Sequence, residues 1–318
     1  MLKIGVVGAG HLGKIHIQNI LVLSGEFQLV GFFDTNPSIQ VDVAKQFQIK
    51  AFSSYEELLS EVDSVLLACP TSAHFNMAVQ ALKLRRHVFV EKPVCQTVEE
   101  SKSLLSYGHE AGVIVQVGHV ERFNPAFLAS QEFIEAPMFI ESHRLAPFQE
   151  RGSEVSVVLD LMIHDIDIAL KVSNSRVKRI SASGMEVLSS CTDIASVRLE
   201  FENGCVANLT ASRVAKHRAR KTRFFMKDHA ITVDFLEKKV EKTMVVDHIN
   251  QEGSLMKTLD YQDIPTESSN AIQHELCAFA KSVERNEKPI VGLEEAHQAM
   301  EVATYIMERI HESNQFVK

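Results

Sequence analysis

The chain has 318 residues and a formal net charge of −8, from 33 Lys and Arg against 41 Asp and Glu. That length has room for two domains of about 150 residues each, and a content of 45% apolar and 23% charged residues excludes disorder, collagen and small disulfide scaffolds. The acidic balance argues against nucleic acid as the partner, because counterion release needs clustered Lys and Arg.

No run of about 18 apolar residues is present, so no membrane-spanning helix is expected. Met1–Gly13 holds one lysine and a short apolar run. It then enters a glycine loop where a signal peptide would carry its cleavage site. The cysteines, Cys69, Cys95, Cys191, Cys205 and Cys277, are odd in number and lack any Cys-x-x-Cys spacing. This is the pattern of free thiols in a reducing cytoplasm, with no metal cluster.

Lys3–Val7 reads as a short strand ending in glycines, followed by a helix from Gly13 to Leu23. Phe27–Phe33 is a second strand, and Asn36-Pro37 opens a helix to Phe47. Ser64–Ala68 is a third strand, after which Thr71 or Ser72 caps a helix through Leu84. His87–Val90 is a fourth strand. Thr97, with Glu100 three residues on, predicts a capping box for a helix to Gly108. Val113–Val117 is a fifth strand. Strands alternating with helices imply βαβ units and a doubly wound parallel sheet.

The remainder reads differently. Met138–Leu145, Val177–Ser183, Ala195–Phe201, Cys205–Ser212, Thr222–Met226 and Ala230–Phe235 are strand-like, with a hairpin turn at Glu202-Asn203-Gly204. Two helices are expected, over 154–172 and 294–310. This is an α+β domain with a mostly antiparallel, open sheet. The boundary falls near 118–125, giving a dinucleotide domain over 1–120 and a substrate and oligomerisation domain over 121–318. The last helix is placed to pack back on the first domain.

Gly8-Ala9-Gly10-His11-Leu12-Gly13 is G-x-G-x-x-G after a strand and at the head of a helix, with Asp34 21 residues beyond Gly13. Gly8 permits the tight turn, Gly10 admits a pyrophosphate to the backbone, and Gly13 lets helix and strand approach. The helix N-terminus, with His11 and Leu12, offers N–H donors. Asp34 can accept from both ribose hydroxyls and would repel a 2′-phosphate, which favours NAD over NADP.

Lys92 follows Glu91 at the carboxyl end of a parallel strand, where ligands bind in open α/β sheets. Pro93 fixes an extended or turn conformation beside it. Further on, Asp160 and His164 stand four residues apart on one helical face, with Asp167 on nearly the same face. A histidine held by a carboxylate suits proton transfer. The stretch 213–223 carries six Lys or Arg in eleven residues, Arg213 at its head. It reads either as a solvated, ion-paired surface or as a phosphate clamp.

The glycine loop, His16, Cys69-Pro70-Thr71-Ser72-Ala73-His74, Glu91-Lys92-Pro93, Gly118, Arg122-Phe123-Asn124-Pro125, Asp160-x-x-x-His164 and Pro289-Ile290-Val291-Gly292 occur in order. Together they resemble the Gfo/Idh/MocA family of NAD(P)-dependent sugar and inositol dehydrogenases. The resemblance implies a Rossmann domain, a C-terminal α/β domain and a homodimer or homotetramer. It implies that Pro70, Thr71, His74 and Glu91 lie with Lys92 at the cofactor. It also implies that Lys92, Asp160 and His164 are catalytic, and that Arg122 and Asn124 belong to the substrate site. Many members have a glycine-rich approach to the Asp, where this chain has Ser156-Val157-Val158-Leu159, a departure that bears on pocket shape.

The chemistry assigns His164 as general base, Lys92 as donor to the reacting oxygen and Asp160 as the orienting carboxylate. Residues 117–125 and 159–168 are similar to the branch that oxidises the 3-hydroxyl of UDP-N-acetylglucosamine or its uronate. Arg213 and the basic stretch would then meet the diphosphate. A free-sugar or inositol dehydrogenase, working in either direction, is the competing reading. An NAD-binding regulator without catalysis is a further one, against which Lys92, Asp160 and His164 speak. Hydride transfer to a nicotinamide needs no metal, and none is expected.

Overall fold

A computed structural model describes residues 1–150, 152–249 and 255–314. The chain begins with β1 (Leu2–Val7), α1 (His11–Val22), β2 (Phe27–Phe33), α2 (Pro37–Phe47), α3 (Tyr55–Glu61), β3 (Ser64–Leu67), α4 (Thr71–Lys83), β4 (His87–Glu91), α5 (Val98–Ala111) and β5 (Val115–Gly118). The five strands form one parallel sheet in the order β2-β1-β3-β4-β5. Val6, Val65, Leu66, Val88 and Val90 are fully buried. Unbroken apolar strands of this kind need helices on both faces.

The chain continues with α6 (Pro125–Ser130), β6 (Phe139–Leu145), α7 (Ile163–Ser173), β7 (Val177–Met185), β8 (Ile194–Phe201), β9 (Val206–Ser212), β10 (Ala219–Phe225), β11 (His229–Asp234), β12 (Lys239–Ile249) and β13 (Leu255–Ile264). These strands form an eight-stranded sheet in the order β13-β12-β11-β10-β6-β9-β8-β7. Its pairs are antiparallel except β6 with β9. Finally come α8 (Ala271–Arg285) and α9 (Leu293–Asn314).

Two compact units result. The first takes Met1–Val120 and Asn270–Met300, and the second takes Glu121–Ser269 and the chain from Glu301. The domain division is therefore not a single cut at residue 120, because α8 and the start of α9 return to the first unit. Phe279 of α8 packs on Phe89 of β4 with ring centroids 5.9 Å apart, and Leu276 lies in the same core. The apolar spacing Leu276, Phe279, Ala280 and Val283 carries this helix, between the cap Asn270 and a left-handed Asn286.

Most predicted ends are set by the side chains that predict them. Asn36 accepts the Ser38 N–H at 3.0 Å, with Pro37 at the first helical position. Thr97 Oγ1 accepts the Glu100 N–H at 3.1 Å, and the Glu100 carboxylate accepts the Gln96 N–H at 3.0 Å. The expected Thr71 or Ser72 cap is not made. Pro70 occupies that position and supplies no side-chain bond.

The helix expected over 154–172 also starts late. A π-helical turn, Val158–Met162, leads into α7. The reason lies upstream: Arg213 donates to the carbonyls of Gly152 and Val155, so that segment is pinned as turns. Strands β12 and β13 were not expected, since β13 is exposed along nearly its whole length and shows no alternating burial to read. Replacing Thr97 by Ala is expected to cost about 1 kcal/mol, read as a lower thermal midpoint with the fold unchanged by circular dichroism.

Candidate active site

The glycines of the loop are not equivalent. Gly8 has φ +85°, and a Cβ there would stand 2.6 Å from the Cys69 backbone. A Cβ on Gly13 would stand 1.9 Å from the Gly8 carbonyl oxygen. Both positions are glycine because the protein itself fills the space. Gly10 differs, since a Cβ there would meet nothing within 4 Å. No carboxylate sits in the first turn of α1, so the N–H groups of His11 and Leu12 head a helix whose dipole favours an anion.

Asp34 closes this loop. Its Oδ2 accepts the Ala9 N–H at 2.7 Å and its Oδ1 accepts the Asn36 N–H at 2.8 Å. Each oxygen keeps a lone pair for a further donor. Cys69 lies against the same turn, and burial pushes its thiol up to about 11, so it is not a thiolate nucleophile. Pro70 and Thr71 follow at the head of α4.

His74 is buried beneath this surface. Its Nδ1 lies 3.0 Å from the Pro93 carbonyl and its Nε2 3.0 Å from the Cys69 carbonyl. Burial holds its pKa below the usual histidine value, so the neutral ring has one N–H to give. His74 packs between the Cys69 turn and the Lys92-Pro93 turn, whose peptide bond is cis, and donates to one of the two carbonyls.

Glu91 is also turned inward. Its Oε1 lies 2.6 Å from Nε2 of the fully buried His16, and its Oε2 accepts the Lys92 N–H at 3.2 Å. It backs onto Gly118, where a Cβ would come within 2.8 Å of the carboxylate. Glu91 was expected at the ribose or nicotinamide; here it braces the turn that carries Lys92 against α1. The His16–Glu91 pair spans 75 residues, and no local spacing announces it.

In the second unit, Asp160 occupies the π-helical turn and His164 the start of α7, both half-buried. Asp167, three residues beyond His164, pairs with Arg122. The guanidinium of Arg122 grips it, Nε to Oδ2 at 2.6 Å and Nη2 to Oδ1 at 2.8 Å, with both residues buried. Arg122, expected at the substrate, is thus also tied into the interior of the second unit. Asn124 is similarly committed: it accepts the Ala126 N–H to cap α6 and donates to Glu121 Oε2 and the Phe235 carbonyl, each at 3.0 Å.

Asp160 lines a cavity of about 180 Å³ that also presents Arg144, Arg213, Arg218 and Arg220. The pleat of β10 sorts the basic stretch. Thr222 and Phe224 are buried, Arg220 is half-buried with them, and Lys221 and Arg223 are exposed on the other face. Those two pair across strands, Lys221 with Asp234 at 3.5 Å and Arg223 with Glu141 at 3.8 Å. The ion-paired surface reading therefore holds for Lys221 and Arg223, while Arg218 and Arg220 line the cavity. Arg213 is buried and spends its Nη groups on the carbonyls of Gly152 and Val155.

Residues 2–119 match the profile of an oxidoreductase family with an NAD-binding Rossmann fold, and residues 138–232 match the Gfo/Idh/MocA C-terminal domain. UDP-N-acetylglucosamine 3-dehydrogenase of Acidithiobacillus ferrooxidans is 38% identical over 236 residues, 74% of each chain. A solved structure of that enzyme aligns with a TM-score of 0.90 over 98% of both chains, at 29% identity. The NAD-dependent scyllo-inositol 2-dehydrogenase of Bacillus subtilis is 29% identical over 68% of each chain. Myo-inositol 2-dehydrogenase of Thermotoga maritima is 26% identical over 94% of this chain and 93% of its own.

The two kinds of glycine are separable by experiment. Gly10→Ala is expected to leave the stability of the unliganded protein within about 1 kcal/mol and to weaken NAD at least about tenfold in calorimetry. Gly13→Ala is expected to lower the thermal midpoint even without NAD. In urea unfolding, Asp167→Ala is expected to cost about 3–5 kcal/mol, because it strands the Arg122 charge. A double change of Arg122 and Asp167 to apolar residues is expected to recover most of that loss.

Proposed function

The chain belongs to the Gfo/Idh/MocA family of oxidoreductases with an NAD-binding Rossmann fold, and from that premise we propose that it oxidises the 3-hydroxyl of a UDP-N-acetylglucosamine-type nucleotide sugar. NAD fits the residues present: the space at Gly10 admits a pyrophosphate, and Asp34 stands at the end of β2 for the ribose hydroxyls. When bound, it supplies the hydride acceptor. His164 accepts the proton of the substrate hydroxyl. The Lys92 ammonium donates to the same oxygen as negative charge develops there. Asp160 orients the substrate against both.

The observation that carries the substrate class is the cavity that sets Asp160 among four arginines. A neutral polyol can accept hydrogen bonds from guanidinium groups but leaves their charge uncompensated, whereas a nucleotide sugar brings two phosphates. The sequence relative that oxidises UDP-N-acetylglucosamine supports the same reading. Val245, Leu259 and Tyr261, exposed neighbours on β12 and β13, support assembly as a homodimer or homotetramer, and the reducing-compartment cysteine pattern supports a cytoplasmic site.

The test is a substrate panel followed by NADH absorbance. UDP-N-acetylglucosamine is expected to give turnover, and Lys92→Ala and His164→Ala are each expected to lose about 100-fold or more in kcat while still binding NAD. Turnover of myo-inositol or a free sugar, with none of the nucleotide sugar, would reject the assignment.

A further inference from the structure

Within the arginine-lined cavity the four guanidinium groups are not equivalent, and their partners separate support from recognition. Arg144 on β6 is 2% exposed and fully committed. It donates from Nε and Nη2 to Asp165 at 2.8 and 3.1 Å, and from Nη1 to Glu121 Oε1 at 2.8 Å. Arg213 is committed to the Gly152 and Val155 carbonyls. Both are buried, and their main partners are groups of the protein itself.

Arg220 and Arg218 differ. Arg220 stands directly opposite Arg144 in the β10–β6 register. Like charges directly opposed in an antiparallel pair are destabilising. Here Glu121 lies between them, its Oε1 also 3.5 Å from Arg220 Nη1. That is one long contact for a group with five N–H donors. Among the described residues no acceptor takes the remaining Arg220 donors, and no carboxylate lies within ion-pair range of the exposed Arg218. Burial together with the neighbouring Arg144 and Arg218 charges holds the Arg220 pKa below its usual value, against the pull of Glu121. Three like charges gathered on one cavity wall are what an anionic ligand relieves.

We propose that Arg218 and Arg220 form a diphosphate subsite, with Arg144 and Arg213 as its frame and Glu121 as the positioning residue that aims Arg220. The proposal rests on the reading of the substrate as a nucleotide sugar. Arg presents a planar fork matched to phosphate oxygens, and the cavity is lined by Asp160 as well. A diphosphate held there keeps its sugar beside the segment that carries Asp160 and His164. Lys221 and Arg223, one and three residues after Arg220, face the opposite side of the sheet and take no part.

The experiment measures UDP binding to the NAD-loaded protein by calorimetry, together with steady-state kinetics on UDP-N-acetylglucosamine. Arg218→Ala and Arg220→Ala are each expected to weaken UDP and raise KM by about ten- to a hundredfold, the worth of one charge-assisted hydrogen bond. The value of kcat is expected to stay within about threefold, the signature of uniform binding. Arg220→Lys is expected to recover only part of the loss. Glu121→Gln is expected to raise KM in the parent but not in the Arg220→Ala background, as coupling through one guanidinium requires. Lys221→Ala is the control and is expected to change nothing.

Arg218 is exposed, so its variant folds whatever happens at Glu121. Equal UDP affinity in the parent and the Arg218→Ala, Arg220→Ala double variant would overturn the subsite. So would uridine binding as tightly as UDP, or arginine-dependent binding of glucuronate without binding of UDP. If UDP binding depends on the arginines while UDP-N-acetylglucosamine is not oxidised, the subsite stands and the substrate reading falls.

Discussion

Arg144 carries a full charge inside the second unit, where an unpaired ion costs several kcal/mol. Two carboxylates answer it, Asp165 from α7 and Glu121 from the turn before α6. The bonds join β6, α7 and the start of the unit at one point. Burial pulls against the charged form, and Asp165 and Glu121 more than reverse that, holding the guanidinium above its usual pKa. On α7, residues turn by about 100° each. Asp165 therefore lies about 100° to one side of His164, and Asp167 about 60° to the other. Arg144 holds the first and Arg122 the second. The helix is thus clamped on both flanks of His164.

The first unit reaches the same end without a buried arginine. Gly8 and Gly13 let backbone pack on backbone, and Asp34 fastens the loop through two N–H bonds. His74 holds the Pro93 turn from below, and the His16–Glu91 pair holds it from the side of α1. Lys92 thus projects from a turn fixed to both neighbouring elements. Such bracing is what a donor to a reacting oxygen requires, since misplacement of about 1 Å costs far more rate than a lost surface contact.

Much of this was legible in the sequence because it is local. The glycine loop, Asp34, the Asn36-Pro37 start and the Thr97–Glu100 box are all patterns of a few residues; the two caps form as their spacing implies, and Gly8 and Gly13 sit where only glycine fits. The Asn203-Gly204 turn also holds, with Gly204 at φ +88°. What stayed hidden depends on partners far away in the chain. Arg122, Asn124 and Arg213 look like ligand groups until burial and distant carboxylates and carbonyls claim them. Nothing at positions 16 and 91 shows that they meet. The return of α8 to the first unit likewise depends on contacts across nearly the whole chain, although its own periodicity is plain.

The basic stretch shows why a run of charge is not one functional object. A strand turns successive side chains to opposite faces, so six cations in eleven residues cannot act together. On β10 the outward pair is spent on cross-strand carboxylates, and the inward Arg220 is aimed at the cavity by Glu121. The sites proposed in the two units would meet a phosphate in two ways. At α1 the helix N-terminus supplies oriented N–H groups and a favourable dipole, so the loop needs room more than charge. A sheet has almost no net dipole, so a phosphate site on β10 must be built from guanidinium groups. These must in turn be held by buried carboxylates. The acidic network of Glu121 and Asp165 is the counterpart of the basic cavity, and neither makes physical sense without the other.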